Sequence, residues 1–355
     1  MRLTDKALLL ALVILAATTF AAAQDHAGSA DAPKPHATGH DEKVQRLRVA
    51  DTMIAHVDAD VTVMPFKCDP DENFYFRTYG DIDELAGPIL KVNPKGELER
   101  TFSIGNAGLP GIHAYDFNVA EDGGVSQLGW LVGSKTHETY WVKFRSDGTV
   151  GGKEKLAAGF VPTGPIATFP SGELLVSGFR VESDAETPRK AFTAIFAADG
   201  ALIKEVIPRE DQRIDAEFDE RTKTESFRLP NTAISSSVAV TGSDGNVYLM
   251  RQTAPAIVYV INAKGDLVRT LKVRSGESDL PGVGIFERNG RLAILFRKLE
   301  DRETLIRVVD ARTGDVYGTY VAGPELGSGM VCYGDLRFTF LSAKNKQIEF
   351  LRAEP

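Results

Sequence analysis

Two cysteines in 355 residues are too few for a disulfide framework or a four-cysteine zinc site. Basic residues are in deficit, 41 Lys and Arg against 49 Asp and Glu, giving a formal net charge of −8. Nucleic-acid binders carry a basic face, so no nucleic-acid partner is expected. Ser-His-Asp sets, phosphate loops and dinucleotide fingerprints are missing, and no cofactor is expected. Long segments of 3.6-residue apolar period are lacking too, so helix should be scarce. Hydrophobic residues at 43% and charged residues at 25% are ordinary for a globular chain and exclude global disorder.

One apolar run stands at the start. Residues 1–23 combine Arg2 and Lys6, an apolar stretch from Ala7 to Phe20, and Ala21-Ala22-Ala23. This is the layout of an export signal, and the stretch is shorter than the roughly 20 residues that span a bilayer. Cleavage after Ala23 is expected, an uncleaved anchor being the alternative. The mature chain would then be periplasmic or extracellular, without a membrane span. Residues 24–43 are small, polar and Pro-containing, a flexible linker. His26, His36 and His40 fall in it at spacings that match no rigid metal site, so no metal is expected.

From residue 44 to 355 the chain repeats. A strand, a glycine turn and a second strand recur at 88–102, 139–156, 192–207, 257–273 and 305–321, with a degenerate copy at 337–351. The turn glycines Gly96, Gly148, Gly200, Gly265 and Gly314 supply the positive φ that hairpins need. Each copy follows another strand–turn–strand unit, as in VTVMPFKCDPDENFYFR (61–77) or SSVAVTGSDGNVYLM (236–250). Together they give four strands per roughly 50 residues, the period of a β-propeller blade. The fold class is therefore all-β: six four-stranded antiparallel blades. Blade six lacks an outer strand, and an open edge would leave backbone groups unpaired. Val44–Ala50 is expected to fill it and close the ring. A charged insertion near 208–232 suits a short amphipathic helix or a polar hairpin.

GSDGNVYLM with IVYVINAKGDLVRTLKV, and CDPDENFYF with PILKVNPKGELERTF, resemble the NHL-type propeller repeat. Blades one and four match well and the others loosely. The resemblance implies a binding platform, although related six-bladed rings include lactonases and lyases, so fold alone does not choose the function.

The inner strands offer little chemistry. Asp116 and Asn118, with His113 nearby, are the channel-mouth candidates, too few oxygens for a calcium site. No catalytic residue is assigned. The second strand ends in arginine in four blades, at Arg77, Arg180, Arg251 and Arg297, and Lys135 follows it in blade two. If these cations share one face they form a clamp for an anionic ligand. If they pair with neighbouring acids they are ordinary surface charge. Cys68 and Cys332 precede equivalent turns in blades one and six, so an exported chain can join them, the alternative being two buried free thiols. The reading is a monomeric binding module for a protein, an envelope glycan or a small anionic molecule. The alternative is a lactonase-like hydrolase or lyase working in the channel.

Overall fold

Strands whose two faces are both covered read as continuous apolar runs, and strands with one wet face alternate. Both kinds occur within each repeat. The computed structural model describes residues 44–57, 62–78, 87–109, 112–131, 138–157, 160–180, 191–206, 238–276, 280–297, 303–326, 329–334, 336–344 and 347–355. The expected export signal and linker, Lys135 and the insertion near 208–232 lie outside them.

Two short strands come first, β1 (Val44–Arg46) and β2 (Arg48–Ile54). Blade one is β3–β6 (Thr62–Cys68, Phe74–Thr78, Ile89–Val92, Leu98–Phe102), and blade two is β7–β10 (Ile112–Val119, Val125–Leu131, Glu138–Phe144, Val150–Lys155). Blade three is β11–β14 (Phe160–Thr168, Leu174–Arg180, Ala191–Phe196, Leu202–Glu205), and blade four is β15–β18 (Val238–Thr241, Val247–Arg251, Ala256–Ile261, Leu267–Val273). Blade five is β19–β22 (Gly282–Arg288, Arg291–Arg297, Thr304–Asp310, Val316–Ala322). Blade six holds β23–β25 (Gly329–Gly334, Arg337–Lys344, Gln347–Glu354). All pairings within blades two to five, considered without β1, and within blade one are antiparallel between sequence neighbours. Inner strands contact one another in the cyclic order β3, β7, β11, β15, β19, β23 and back to β3, which makes a closed six-bladed ring.

The ring closes by an N-terminal strand, but not with the residues expected. Arg48–Ile54 is the outer strand of blade six, paired antiparallel with β25 from Arg48 opposite Glu354 to Ile54 opposite Glu349. Val44–Arg46 instead lies parallel to β22 as a fifth strand of blade five. The switch occurs at Leu47. Its N–H donates to the Val321 carbonyl at 2.9 Å, and its side chain, 1% exposed, is buried among Ala322 and Tyr320 of blade five and Phe338 and Ala353 of blade six.

In blades four and five burial is greatest in the two middle strands. In blade four every residue of β16 and β17 is buried, whereas β18 is mostly exposed or half-buried. The core is thus six slabs between blades, such as the one joining Phe74, Phe76 and Phe350 across blades one and six, where Phe74 and Phe350 stack at 4.1 Å.

The hairpin glycines do more than turn the chain. Gly96 has φ +87°, and a Cβ there would stand 1.9 Å from the Ile54 carbonyl oxygen of the preceding outer strand. Gly148 would meet the Thr101 oxygen at 2.9 Å and Gly200 the Lys155 oxygen at 2.6 Å in the same way. The outer hairpin turns of blades one, two and three therefore rest on the backbone of the blade before them, and His56 N–H donates to the Gly96 carbonyl at 2.7 Å. Only glycine combines that φ with that approach.

Candidate functional site

The inner strands carry a chain of polar links that runs from blade to blade. Lys67 on β3 faces Asp116 on β7 at 3.9 Å. Asp116 accepts from the backbone N–H of Phe117 at 2.8 Å and of Ile166, on β11, at 3.1 Å. Asn118 donates to Thr168 Oγ1 at 2.7 Å, and Thr241 of blade four donates to the Thr168 carbonyl at 2.7 Å. Ser243 donates through its N–H and hydroxyl to Glu287 of blade five at 2.9 and 2.7 Å. Asp116 and Asn118, both nearly buried, thus hold blades two and three together. His113 lies on the same strand, in register with Trp130.

The arginines that end second strands differ in setting. Arg77 and Arg251 are buried at 2% and 0% exposure, while Arg297 is exposed. Arg180 closes β12 opposite Phe160. Two members of the set are therefore interior side chains, not cations on a surface. Sequence alone could not show this, because a charged residue at a strand end is ordinarily exposed.

The polar concavity lies elsewhere, on the face where first and second strands meet. It has a volume of about 570 Å³ and is bounded by the turns of blades one, five and six. Pro70 and Glu72 come from blade one, Arg288 and Asn289 from blade five, Tyr333, Leu336 and Arg337 from blade six. Cys332 also borders it and is joined to Cys68, with the Cα atoms 5.7 Å apart, so a covalent link ties the inner strands of blades six and one. Both cysteines stand near the turn ends of their first strands, where blades six and one converge closely enough for that bond.

These turns are unusual for their backbone. In blades two, three and four the left-handed position belongs to Gly123, Gly172 and Gly245, each N–H closing the turn on the residue three before it at 2.9 to 3.0 Å. Blade one uses the same turn, Glu72 N–H to the Asp69 carbonyl at 3.1 Å, yet places Glu72 at φ 60°. Blades five and six use tighter hairpins, with Asn289 at φ 51° and Leu336 at φ 70°. Among the described residues these are the three non-glycines with positive φ, and all three line the concavity. For Glu72 and Leu336 such a φ costs about 1 to 3 kcal/mol, and strained positions gather at functional sites, whereas Asn289 with Gly290 at φ 74° makes the Asn-Gly hairpin in which positive φ is ordinary.

Ion pairs organise the rim. Arg337 bonds Glu72 at 3.0 Å and Glu354 at 3.4 Å, and Arg352 faces Glu72 at 3.7 Å. Two neighbouring acids raise the already high Arg337 pKa, Glu72 by its charge first. Asp69 accepts from Asp71 N–H, from Asn73 N–H and amide, and from the Tyr75 hydroxyl at 2.7 to 3.0 Å. Burial first, and then the Asp69 charge, push the Tyr75 phenol well above its ordinary range. Blade four repeats the motif with Asp244, Asn246 and Tyr248, and Arg269 joins it at 3.1 Å. Arg288 differs. Its guanidinium reaches from blade five to donate to the Pro70 carbonyl of blade one at 2.7 Å, and among the described residues it has no carboxylate partner. None of these rim residues stood out as a candidate in the sequence. The readable signal was the missing glycine in the first turn of blade one.

No family model matches the chain, and no curated protein matches it. Solved structures do. A member of the DUF4221 family from Bacteroides vulgatus aligns at TM-score 0.50 and 9% identity, over 88% of this chain and 99% of that one. A protein of unknown function from Bacteroides caccae aligns at TM-score 0.45 and 13% identity, covering 72% of this chain and 84% of that one. At such identities the likeness concerns the propeller fold alone.

Proposed function

We propose that this chain is an exported binding module that takes its ligand at the channel mouth, between the first turns of blades five, six and one. One observation carries the reading: three side chains occupy left-handed backbone positions, and all of them line one polar concavity. Of the partners considered from sequence, a small molecule or the end of a glycan suits a cavity of about 570 Å³ better than a broad protein surface does. The hydrophobic leader and the Cys68–Cys332 bond support export, since disulfides persist in oxidising compartments. The Asp-x-Asn-x-Tyr turn of blade four supports an NHL-like repeat, as does its variant around Asp69 in blade one. A channel enzyme would draw on Asp116 and Asn118, and both are engaged between blades.

Hydrogen exchange on the mature chain tests the proposal, with and without a panel of small acids, sugars and nucleotides. Ligand protection is expected at 69–73, 288–291 and 334–337. Protection confined to the opposite face, at the loops following Arg77 and Arg251, would overturn it. Turnover of a lactone by the purified protein would replace binding with catalysis.

A further inference from the structure

Of the two arginines that line the concavity, Arg288 is the one with no carboxylate within ion-pair distance among the described residues. Arg337 and Arg352 both face carboxylates, whereas Arg288 spends a single N–H on the Pro70 carbonyl. That bond fixes the guanidinium across the mouth and leaves further donors in their planar fork. Resting on the binding-module reading above, we infer that Arg288 is the anchor for the carboxylate of a small hydroxylated monoacid, a hexuronate being the simplest case.

Charge decides between kinds of anion. Asp69, Glu72 and Glu354 also line the concavity. A dianionic phosphate would meet three carboxylates around one unpaired arginine, and its second charge would be repelled. A carboxylate carries one charge and matches the guanidinium fork bidentately. The rest of the ligand faces the exposed amide of Asn289 and the carboxylate and guanidinium edges of Glu354 and Arg337, groups that hydrogen-bond hydroxyls. Apolar contact comes from Pro70, Leu336, Tyr333, Pro355 and the disulfide edge, a minority of a mostly polar wall and too little to hold a fatty acid. The cavity, about 570 Å³, is within the range of roughly 300 to 1,000 Å³ that suits small-molecule ligands.

Isothermal titration of the full mature chain with glucuronate, glucose and inorganic phosphate tests the anchor. Glucuronate should bind best, and its affinity should fall as salt rises. Arg288→Ala should weaken it by about tenfold or more, the usual scale for a charge-assisted contact, and Arg288→Lys should lose less. Melting curves of both variants show whether each is folded, and the lysine variant retains the test if alanine disturbs the turn. Equal binding of glucose and glucuronate, tighter binding of phosphate, or an unchanged Arg288→Ala affinity would overturn the anchor. Binding of none of the three would overturn it too. The binding-module reading falls separately, only if no ligand in the wider panel protects the three turns from exchange.

Discussion

Removing the Cys68–Cys332 bond probes how the ring is held shut. The bond closes a loop of 264 residues, for which the chain-entropy relation gives about 5 to 6 kcal/mol at 25 °C. Strand pairing of β1 and β2 exists only in the folded state, so it does not reduce the entropy that the unfolded chain regains. Native strain and residual denatured structure lower the figure, and about 3 to 5 kcal/mol is expected. That is a large share of the roughly 5 to 15 kcal/mol typical of folded proteins. Urea unfolding should be followed for the oxidised protein, the reduced protein and Cys68→Ala/Cys332→Ala, with fluorescence and circular dichroism as separate probes. Reduced and double-variant proteins should unfold at similar, much lower urea concentrations, because both lack the same constraint. The reduced protein keeps both sulfur atoms and so controls for the void left by alanine. A loss below about 1 kcal/mol in both would refute the entropic argument. Two free thiols per denatured, unreduced chain would remove its premise.

Three further outcomes follow from the closure and the turns. Deleting Arg48–Ile54 strips the outer strand from blade six and should abolish a cooperative melt, while deleting residues 24–40 should leave the melting temperature unchanged; equal behaviour of the two truncations would contradict the closure. Gly96→Ala places a Cβ 1.9 Å from the Ile54 oxygen at φ +87°, whereas Gly245→Ala meets nothing within 4 Å. The first should cost about 2 to 4 kcal/mol and the second about 1, in denaturant melts, and similar losses would refute the docking role of the turn. Burial and the Asp244 hydrogen bond raise the Tyr248 phenol to about 12, and Tyr75 is raised as well. Both groups favour the neutral phenol in the fold, so their contribution is complete below the ordinary phenol value of about 10 and fades as pH rises through the folded value. Absorbance at 295 nm should show these phenols ionising later than exposed ones, and Asp244→Asn should advance Tyr248; coincident titration would contradict the network.

The blade count and turn positions were legible because they depend on local chemistry. Glycine at 96, 148, 200, 265 and 314 marks left-handed turns, all of which have positive φ in the structure. Alternation marks the strands, and the four-strand period follows. Partner choice was not legible. Val44 to Ala50 reads as one strand, since nothing local records that Leu47 passes between two blades. Burial of Arg77 and Arg251 was equally hidden, because charge at a strand end normally signals solvent. Asp116 and Asn118 were visible as polar residues on an inner strand. Their use as inter-blade links depends on Ile166 and Thr168, each 50 residues away.

The location of the concavity has a physical logic that joins closure to recognition. Blades two to four are continuous in sequence and turn on glycine. At blades five, six and one the chain ends meet. Here β1 joins blade five, β2 completes blade six, and the disulfide links six to one. Arg337–Glu72 and Arg288–Pro70 cross the same seam above it. Glu72, Asn289 and Leu336 take left-handed positions in the turns there, Asn289 beside Gly290, and these added bonds brace the seam. If a ligand is held between Arg288 and blade six, as proposed, it binds only when the seam is shut. By linkage it must stabilise closure by RT ln(1 + [L]/Kd), roughly 2.7 kcal/mol at a hundredfold excess over Kd. The gain adds to the free energy of the reduced protein as well as the oxidised one, provided reduction leaves the turns in place. If reduction instead opens the mouth, affinity falls by the fraction of molecules in which the seam is closed. Comparing glucuronate affinity before and after reduction thus measures how much of the recognition surface the disulfide organises.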